Sequence, residues 1–230
     1  MSQSSLFIDI GNSAVKWRTC DSEVFTEGVD LFSLELLPKA DSIWVGAVAH
    51  LNIVHAIKTQ FSNVKLVEPL KQYRRLTLSY DDPSKLGVDR FLAMLGALER
   101  FPNLPLLVID AGSAVTFDVI DAKGIHQGGL IMPGIRALRE SFAKFSTNDE
   151  SINTSELKNS TEGAWQSGTH AMLVSAINSQ IQSFELEYPG GVVTICGGTA
   201  KEVLKEFPES VKPFDNLVLD GLESYSQSMG

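Results

Sequence analysis

Cysteine is scarce in this chain. Cys20 and Cys196 are the two thiols among 230 residues, far apart and in no Cys-x-x-Cys pair. So few thiols exclude a disulfide scaffold and a cysteine-based zinc site, and a reducing compartment is the default expectation. His50, His55, His126 and His170 are scattered, with no His-Glu-x-x-His run, so each is expected at the surface or in packing. Basic side chains number 19 against 28 acidic ones, a net charge of −9. Such a surface repels nucleic-acid phosphates and anionic lipid, and the short basic run Lys71 to Arg75 reads as a solvated loop. No window approaches the ~18 apolar residues that span a bilayer. The opening Met1–Ser13 lacks a basic n-region, and its apolar run Leu6-Phe7-Ile8 is short for a signal peptide. A soluble cytoplasmic protein is therefore expected, and Asn153-Thr154-Ser155 and Asn159-Ser160-Thr161 read as chance matches to the glycosylation pattern. A Gly-x-Ser-x-Gly elbow, a Walker A loop and a Gly-x-Gly-x-x-Gly fingerprint are all missing.

What is present is enough apolar chain for a sizeable core: 43% hydrophobic and 20% charged residues over 25.1 kDa. Leu6-Phe7-Ile8 runs into the turn formers Asp9-Ile10-Gly11-Asn12-Ser13, and Ala14 to Arg18 resumes as a strand, which predicts a hairpin. Ser42 to Val48 reads as a buried strand, and Leu51, Val54, Ile57 and Phe61 follow at helical spacing. Val88, Phe91, Leu92, Leu95 and Leu98 mark a clearer helix, closed by Pro102 and Pro105. The strand from Leu104 to Ile109 then meets Asp110-Ala111-Gly112-Ser113-Ala114, and the chain starts again. Leu-Phe-Ile-Asp-Ile-Gly-Asn-Ser at 6–13 is echoed by Leu-Val-Ile-Asp-Ala-Gly-Ser-Ala at 107–114. Further strands to Ile131 and over Val192 to Cys196, and helices after Pro133, from about Thr161 and finally from Gly198, complete a duplicated α/β pattern with a boundary near 102–106.

A carboxylate at the end of a buried strand followed by glycine has a use. The aspartate can hold hydrated Mg²⁺, and the glycine lets phosphate reach backbone N–H groups. One isolated copy of Asp-x-Gly reads as a tight turn; two copies in matching places point to a cleft gripping phosphate from both sides. Lys16 is either a cation for those phosphates or a solvent-facing strand residue. Asp89, in Leu86-Gly87-Val88-Asp89-Arg90 at a helix start, is either favoured there by the helix dipole or takes the proton of an attacking hydroxyl, with Arg90 on an anionic group. Gly128-Gly129 with Pro133-Gly134, and Gly197-Gly198, lead strands into helices through bare backbone that suits a nucleotide or a simple turn.

Taken in order, these segments resemble the type III pantothenate kinases over nearly the whole chain. The resemblance rests on Asp9 to Ser13 with Lys16, Tyr80 with Gly87-Val88-Asp89-Arg90, Asp110 to Ala114, the glycine pairs, and Thr161 to Gly168. It implies the acetate-and-sugar-kinase/actin fold, with two ribonuclease H-like domains, 1–104 and 105–230, around a cleft. It also implies ATP-dependent phosphorylation of pantothenate, the first step towards coenzyme A, by a cytoplasmic homodimer that engages neither nucleic acid nor membrane. By that resemblance Asp9, Ile10, Gly11, Asn12, Ser13, Ala14, Val15 and Lys16 bind ATP together with Ser113. Asp89 is the catalytic proton acceptor; Tyr80, Gly87, Val88, Asp89, Arg90 and Thr161 hold pantothenate; Asp9 serves Mg²⁺, through water; and Asp110 binds a monovalent cation, potassium or ammonium. The chain departs from the family pattern at Ser113 and Cys196, where threonine is usual, and at Ser160-Thr161, where Asn-Thr is usual. Two alternatives share the pattern: a regulator resembling the Bordetella accessory factor for toxin transcription, acting through protein contacts, and another small-molecule kinase of the same fold.

Overall fold

The structure is a computed structural model that describes residues 4–20, 22–145 and 155–229, so Asn153 and Thr154 of the first glycosylation pattern lie outside it. The chain divides into two compact units, Met1–Pro102 with Asn216–Gly230, and Asn103–Asp215.

In the first unit β1 (Ser5–Ile10) and β2 (Ala14–Thr19) form the expected hairpin, extended antiparallel by β3 (Phe25–Gly28). On the other side of β1, β4 (Ser42–Ala47) runs parallel; α1 (Leu51–Gln60) crosses over, and β5 (Val64–Leu66) joins parallel to β4. The sheet order is β3-β2-β1-β4-β5. Alternation along the strands sends Leu6, Ile8, Ile10, Val15, Trp17, Ile43 and Val45 to one face, where they bury against Val54 and Ile57 of α1. Phe7, Asp9, Lys16 and Gly46 fall on the opposite face. A small hairpin follows, β6 (Gln72–Tyr73) and β7 (Leu76–Thr77), turned at Arg74 with φ 50. The run expected as a solvated loop is thus partly structural: Tyr73 is buried and stacks on Tyr225 at 4.6 Å, while its neighbours Lys71, Arg74 and Arg75 stay exposed. The helix α2 (Val88–Arg100) ends this stretch.

The second unit repeats the scheme. β8 (Leu106–Ala111), β9 (Ala114–Ile120) and β10 (His126–Pro133) form an antiparallel meander, followed by α3 (Ile135–Glu140) and the long α4 (Thr161–Glu187). β11 (Val192–Cys196) pairs parallel with β8, and after α5 (Ala200–Val203) the two-residue β12 (Lys212–Pro213) pairs parallel with β11. The order β10-β9-β8-β11-β12 is that of the first sheet with β8 in the place of β1. Its core joins Leu107, Ile109, Val115, Phe117, Val193 and Ile195 to Leu173, Ile177 and Ile181 of α4.

Two expectations are corrected. The helix expected from Gly198 to finish the chain is the four-residue α5 and a 3₁₀ turn at Leu204–Glu206; a separate α6 (Leu217–Met229) comes last. That helix packs on α2, so residues 216–230 join the first unit and not the second half. Among the described residues no helix is long and apolar enough to cross a membrane.

Candidate active site

At the end of β1, Asp9 is half-buried and pairs across the hairpin with Lys16 and across the parallel ladder with Gly46. Paired residues of adjacent strands share a face, so Asp9, Lys16 and Gly46 stand in one row. Gly46 has no side chain for a reason: a Cβ there would lie 2.8 Å from Leu92 Cδ1 and 3.9 Å from Val88 Cγ1. The first two turns of α2, through Val88 and Leu92, therefore rest on the sheet position next to Asp9, and Asp89 follows Val88 at that place. Within the stretch 9–16, Ile10 and Val15 turn into the core, Gly11 and Ala14 close the turn by a 3.0 Å Gly11 N–H to Ala14 O hydrogen bond, and Asn12 and Ser13 form its exposed tip.

Asp89 folds back along its own helix. Its Oδ1 accepts from Arg90 N–H at 2.7 Å and would sit 2.5 Å from a Cβ on Gly87, so glycine is what leaves room for the carboxylate. A negative charge is favoured at this helix N-terminus. Arg90 is buried, donates from Nη1 to Tyr80 Oη at 3.1 Å and lies 5.9 Å from the Tyr80 ring centroid. Lys71 Nζ donates in turn to the Tyr80 carbonyl at 2.8 Å. Tyr80, Gly87, Val88, Asp89 and Arg90 thus form one neighbourhood of the first unit.

In the second unit Asp110 occupies on β8 the place of Asp9 on β1, on the face away from α4, paired with Thr116 and Cys196. Thr116 stands where the first hairpin has Lys16. Gly197, at φ 99, carries its bare face against Asp110 Oδ1 and 2.5 Å from Ala111 O, measured from the Cβ it lacks. Ser113 is the exposed tip of the β8–β9 hairpin; its carbonyl accepts from Gly134 N–H at 3.1 Å, and a Cβ on Gly134 would collide with the Gly112 and Ser113 carbonyls. Thr161 is exposed as the first residue of α4, after Ser160, whose Oγ accepts from Gly163 N–H at 3.2 Å.

Three features escaped the sequence reading. His126 and Asp118 form a buried pair, Nε2 to Oδ1 2.9 Å, across the bulge between His126 and Gly128. Arg139 is fully buried, with Nε donating to Thr169 Oγ1 at 3.2 Å. His50 reaches the turn of the first hairpin, Nε2 2.8 Å from Asn12 O. Nothing in residue spacing marks these, because each contact joins strands or helices whose pairing sets it.

Two repeated five-stranded units, each with an aspartate at the end of its first strand, define the fold class shared by actin-like ATPases and sugar kinases. Solved structures agree on the fold: MreB5 of Spiroplasma citri bound to ADP has a TM-score of 0.54 at 11% identity, covering 99% of this chain and 97% of that one. A conserved putative Baf family transcriptional activator from Campylobacter jejuni reaches 0.68 at 24% identity, covering 97% and 98%. The family model described as Type III pantothenate kinase matches residues 5–183, and the chain belongs to that family. Curated type III pantothenate kinases from Alcanivorax borkumensis and from Xanthomonas campestris pv. campestris strain B100 are 30% and 31% identical to it, covering 95% and 97% of this chain and 96% and 97% of their own.

Proposed function

We propose that this chain transfers the γ-phosphoryl group of ATP to the primary hydroxyl of pantothenate, the step that opens coenzyme A biosynthesis. Family membership supports the substrate pair. The observation that supports the residue roles is the start of α2, where Val88 and Leu92 flank Asp89 in sequence and lie over Gly46, the sheet position beside Asp9.

The turn from Asp9 to Lys16 takes the ATP phosphates, with Ser113 also against ATP. Tyr80, Gly87, Val88, Arg90 and Thr161 hold pantothenate, and the Tyr80 hydroxyl braces the guanidinium that meets the substrate carboxylate. Asp89 accepts the hydroxyl proton as that oxygen bonds to the γ-phosphorus; the bond to the β,γ-bridging oxygen breaks, and ADP leaves with its electron pair. Such transfer depends mainly on positioning and on charge stabilisation. Asp9 would hold Mg²⁺ through water. A single half-buried carboxylate fits that ion, which keeps most of its water, and among the described residues no group of three Asp, Glu, His or Cys side chains offers a cage. Bound there, the ion supplies neutralisation of phosphate charge. Asp110 would hold potassium or ammonium: its carboxylate stands near the end of β8, where an oxygen ligand suits a hard cation.

The protein acts in the cytoplasm on these small molecules. The net charge of −9 argues against nucleic acid or anionic membrane as a partner. It acts as a homodimer, supported by exposed Leu130 and Ile131 on the edge strand β10 and by Phe142 and Met172 in the same unit. Light scattering reads the mass, and rates in potassium against sodium salts read the cation.

The test is Asp89→Asn in a coupled ADP-release assay with and without pantothenate. The expected result is pantothenate-dependent ADP release by the wild type and a loss of about 100-fold or more in kcat in the folded variant, the usual scale for a general base. Turnover close to the wild-type rate would refute the role of Asp89.

A further inference from the structure

Past β4 the chain continues beside β1, with Val48 N–H donating to Ile10 O at 3.1 Å. His50 then begins α1 in the left-handed region, φ 53 and ψ 52, and makes no side-chain capping bond to that helix. A non-glycine residue is held there only when its surroundings over-determine it, and such outliers gather at functional sites. The ring of His50 is committed elsewhere: Nε2 lies 2.8 Å from Asn12 O, at the tip of the β1–β2 turn. A carbonyl oxygen only accepts, so Nε2 carries the proton.

The peptide between Asn12 and Ser13 is the central one of that turn, the unit whose rotation interconverts turn types. Rotating it would require positive φ at Ser13, which serine tolerates poorly. His50 fixes this peptide from its carbonyl side, and Val29 N–H fixes the next one by donating to Ser13 O at 3.1 Å. The carbonyl and the N–H of a planar trans peptide point in opposite directions, so holding one edge sets the other.

We propose that His50 is a positioning residue for nucleotide binding. By engaging the Asn12 carbonyl it turns the negative end of the Asn12–Ser13 peptide away from the ATP phosphates. This rests on the reading of Asp9 to Lys16 as the ATP turn. His50 touches no reacting group and acts through the orientation of the turn.

The experiment compares the wild type with His50→Gly, His50→Gln and Asp9→Asn in the full-length chain. It measures calorimetric affinity for Mg²⁺ with a non-hydrolysable ATP analogue, KM for pantothenate, and thermal unfolding. Glycine removes the ring but suits the left-handed backbone, so His50→Gly keeps or raises the melting temperature while nucleotide affinity falls about three- to tenfold, the worth of one hydrogen bond. KM for pantothenate stays within about twofold. His50→Gln, whose Nε2 amide reaches a similar point, recovers most of the affinity. Unchanged affinity in His50→Gly overturns the proposal. So does a loss shared by both substrates together with stability, or glycine-like affinity in His50→Gln. Wild-type affinity in Asp9→Asn would instead overturn the assignment of the turn itself, so the two failures are told apart.

Discussion

His170 shows how one buried side chain governs a solution property. It sits on α4, fully buried, and among the described residues neither ring nitrogen has a hydrogen-bond partner; Glu206 Oε1 stands 4.0 Å from Nε2. Burial pushes its pKa below the ordinary 6.5, with Arg139 and Lys205 acting in the same direction and Glu206 opposing. The folded state therefore binds the proton less readily than the unfolded chain. Stability from this residue is complete above about pH 6.5 and is lost as pH falls below it, by up to about 1.4 kcal/mol per pH unit. His170→Leu removes the titration together with two unmet polar atoms, a change that can be neutral or stabilising. Urea unfolding at pH 5.5 and 7.5 should show a smaller pH difference in the variant than in the wild type. An identical difference in both would place the acid sensitivity elsewhere. The sequence offered no sign of this residue beyond its place among scattered histidines, since burial without a partner is a property of packing. Asp9, Asp89 and Asp110 were legible for the opposite reason. Their neighbours in sequence, Gly11, Gly87 and Gly112, shape the local backbone that holds them.

Between elements, α2 and α6 meet at bare backbone. A Cβ on Gly221 would fall on the Leu92 carbonyl, and one on Gly96 would fall on the Leu217 carbonyl. The apolar stripe of α2 was plain in the sequence because Val88, Phe91, Leu92, Leu95 and Leu98 keep helical spacing. Its partner was not, because Gly221 sits in the middle of Leu217 to Tyr225 and reads as a helix breaker. The short strands β3, β5, β6, β7 and β12 were equally hidden: two to four residues are too few to establish a period. At Gly221 two effects compete. Alanine gains up to ~1 kcal/mol of helix propensity, whereas overpacking typically costs ~1–3 kcal/mol. The obstructing atom belongs to the backbone and cannot swing aside, so the cost wins. Gly221→Ala is expected to lower the urea midpoint and, by displacing α2, to lower kcat as well. A midpoint at or above the wild-type value would show that the helices part without penalty.

For the whole molecule, the consequence of this crossing is that the first unit is built from both ends of the sequence. The repeated strand order was foreseeable from the two Asp-x-Gly segments, whereas the return of residues 216–230 to the first unit was not, because no local signal says which half a terminal helix will join. Its anchoring is extensive. Asp220 pairs with Arg18 of β2 at 2.9 Å and with Arg100 of α2 at 2.8 Å, Glu223 with Arg18 at 2.7 Å, and Tyr225 stacks on Tyr73 and meets the edge of Phe91. The ion pairs add little net, because the desolvation of mostly buried charges offsets their attraction. The larger loss on removing α6 comes from the buried Leu217, Leu219, Leu222 and Tyr225, each worth roughly 1.5–3 kcal/mol on the scale of fully buried large apolar side chains. Their sum is comparable to the whole stability of a typical domain. A chain truncated after Asp215 should therefore lose hydrogen-exchange protection across α2 and the first sheet. The second unit, whose described core residues all lie within 103–215, should keep protection in β8, β9 and β11. Uniform loss across both sheets would mean that the two units fold as one. Undiminished protection of α2 would mean that α6 contributes little to the surface carrying Asp89.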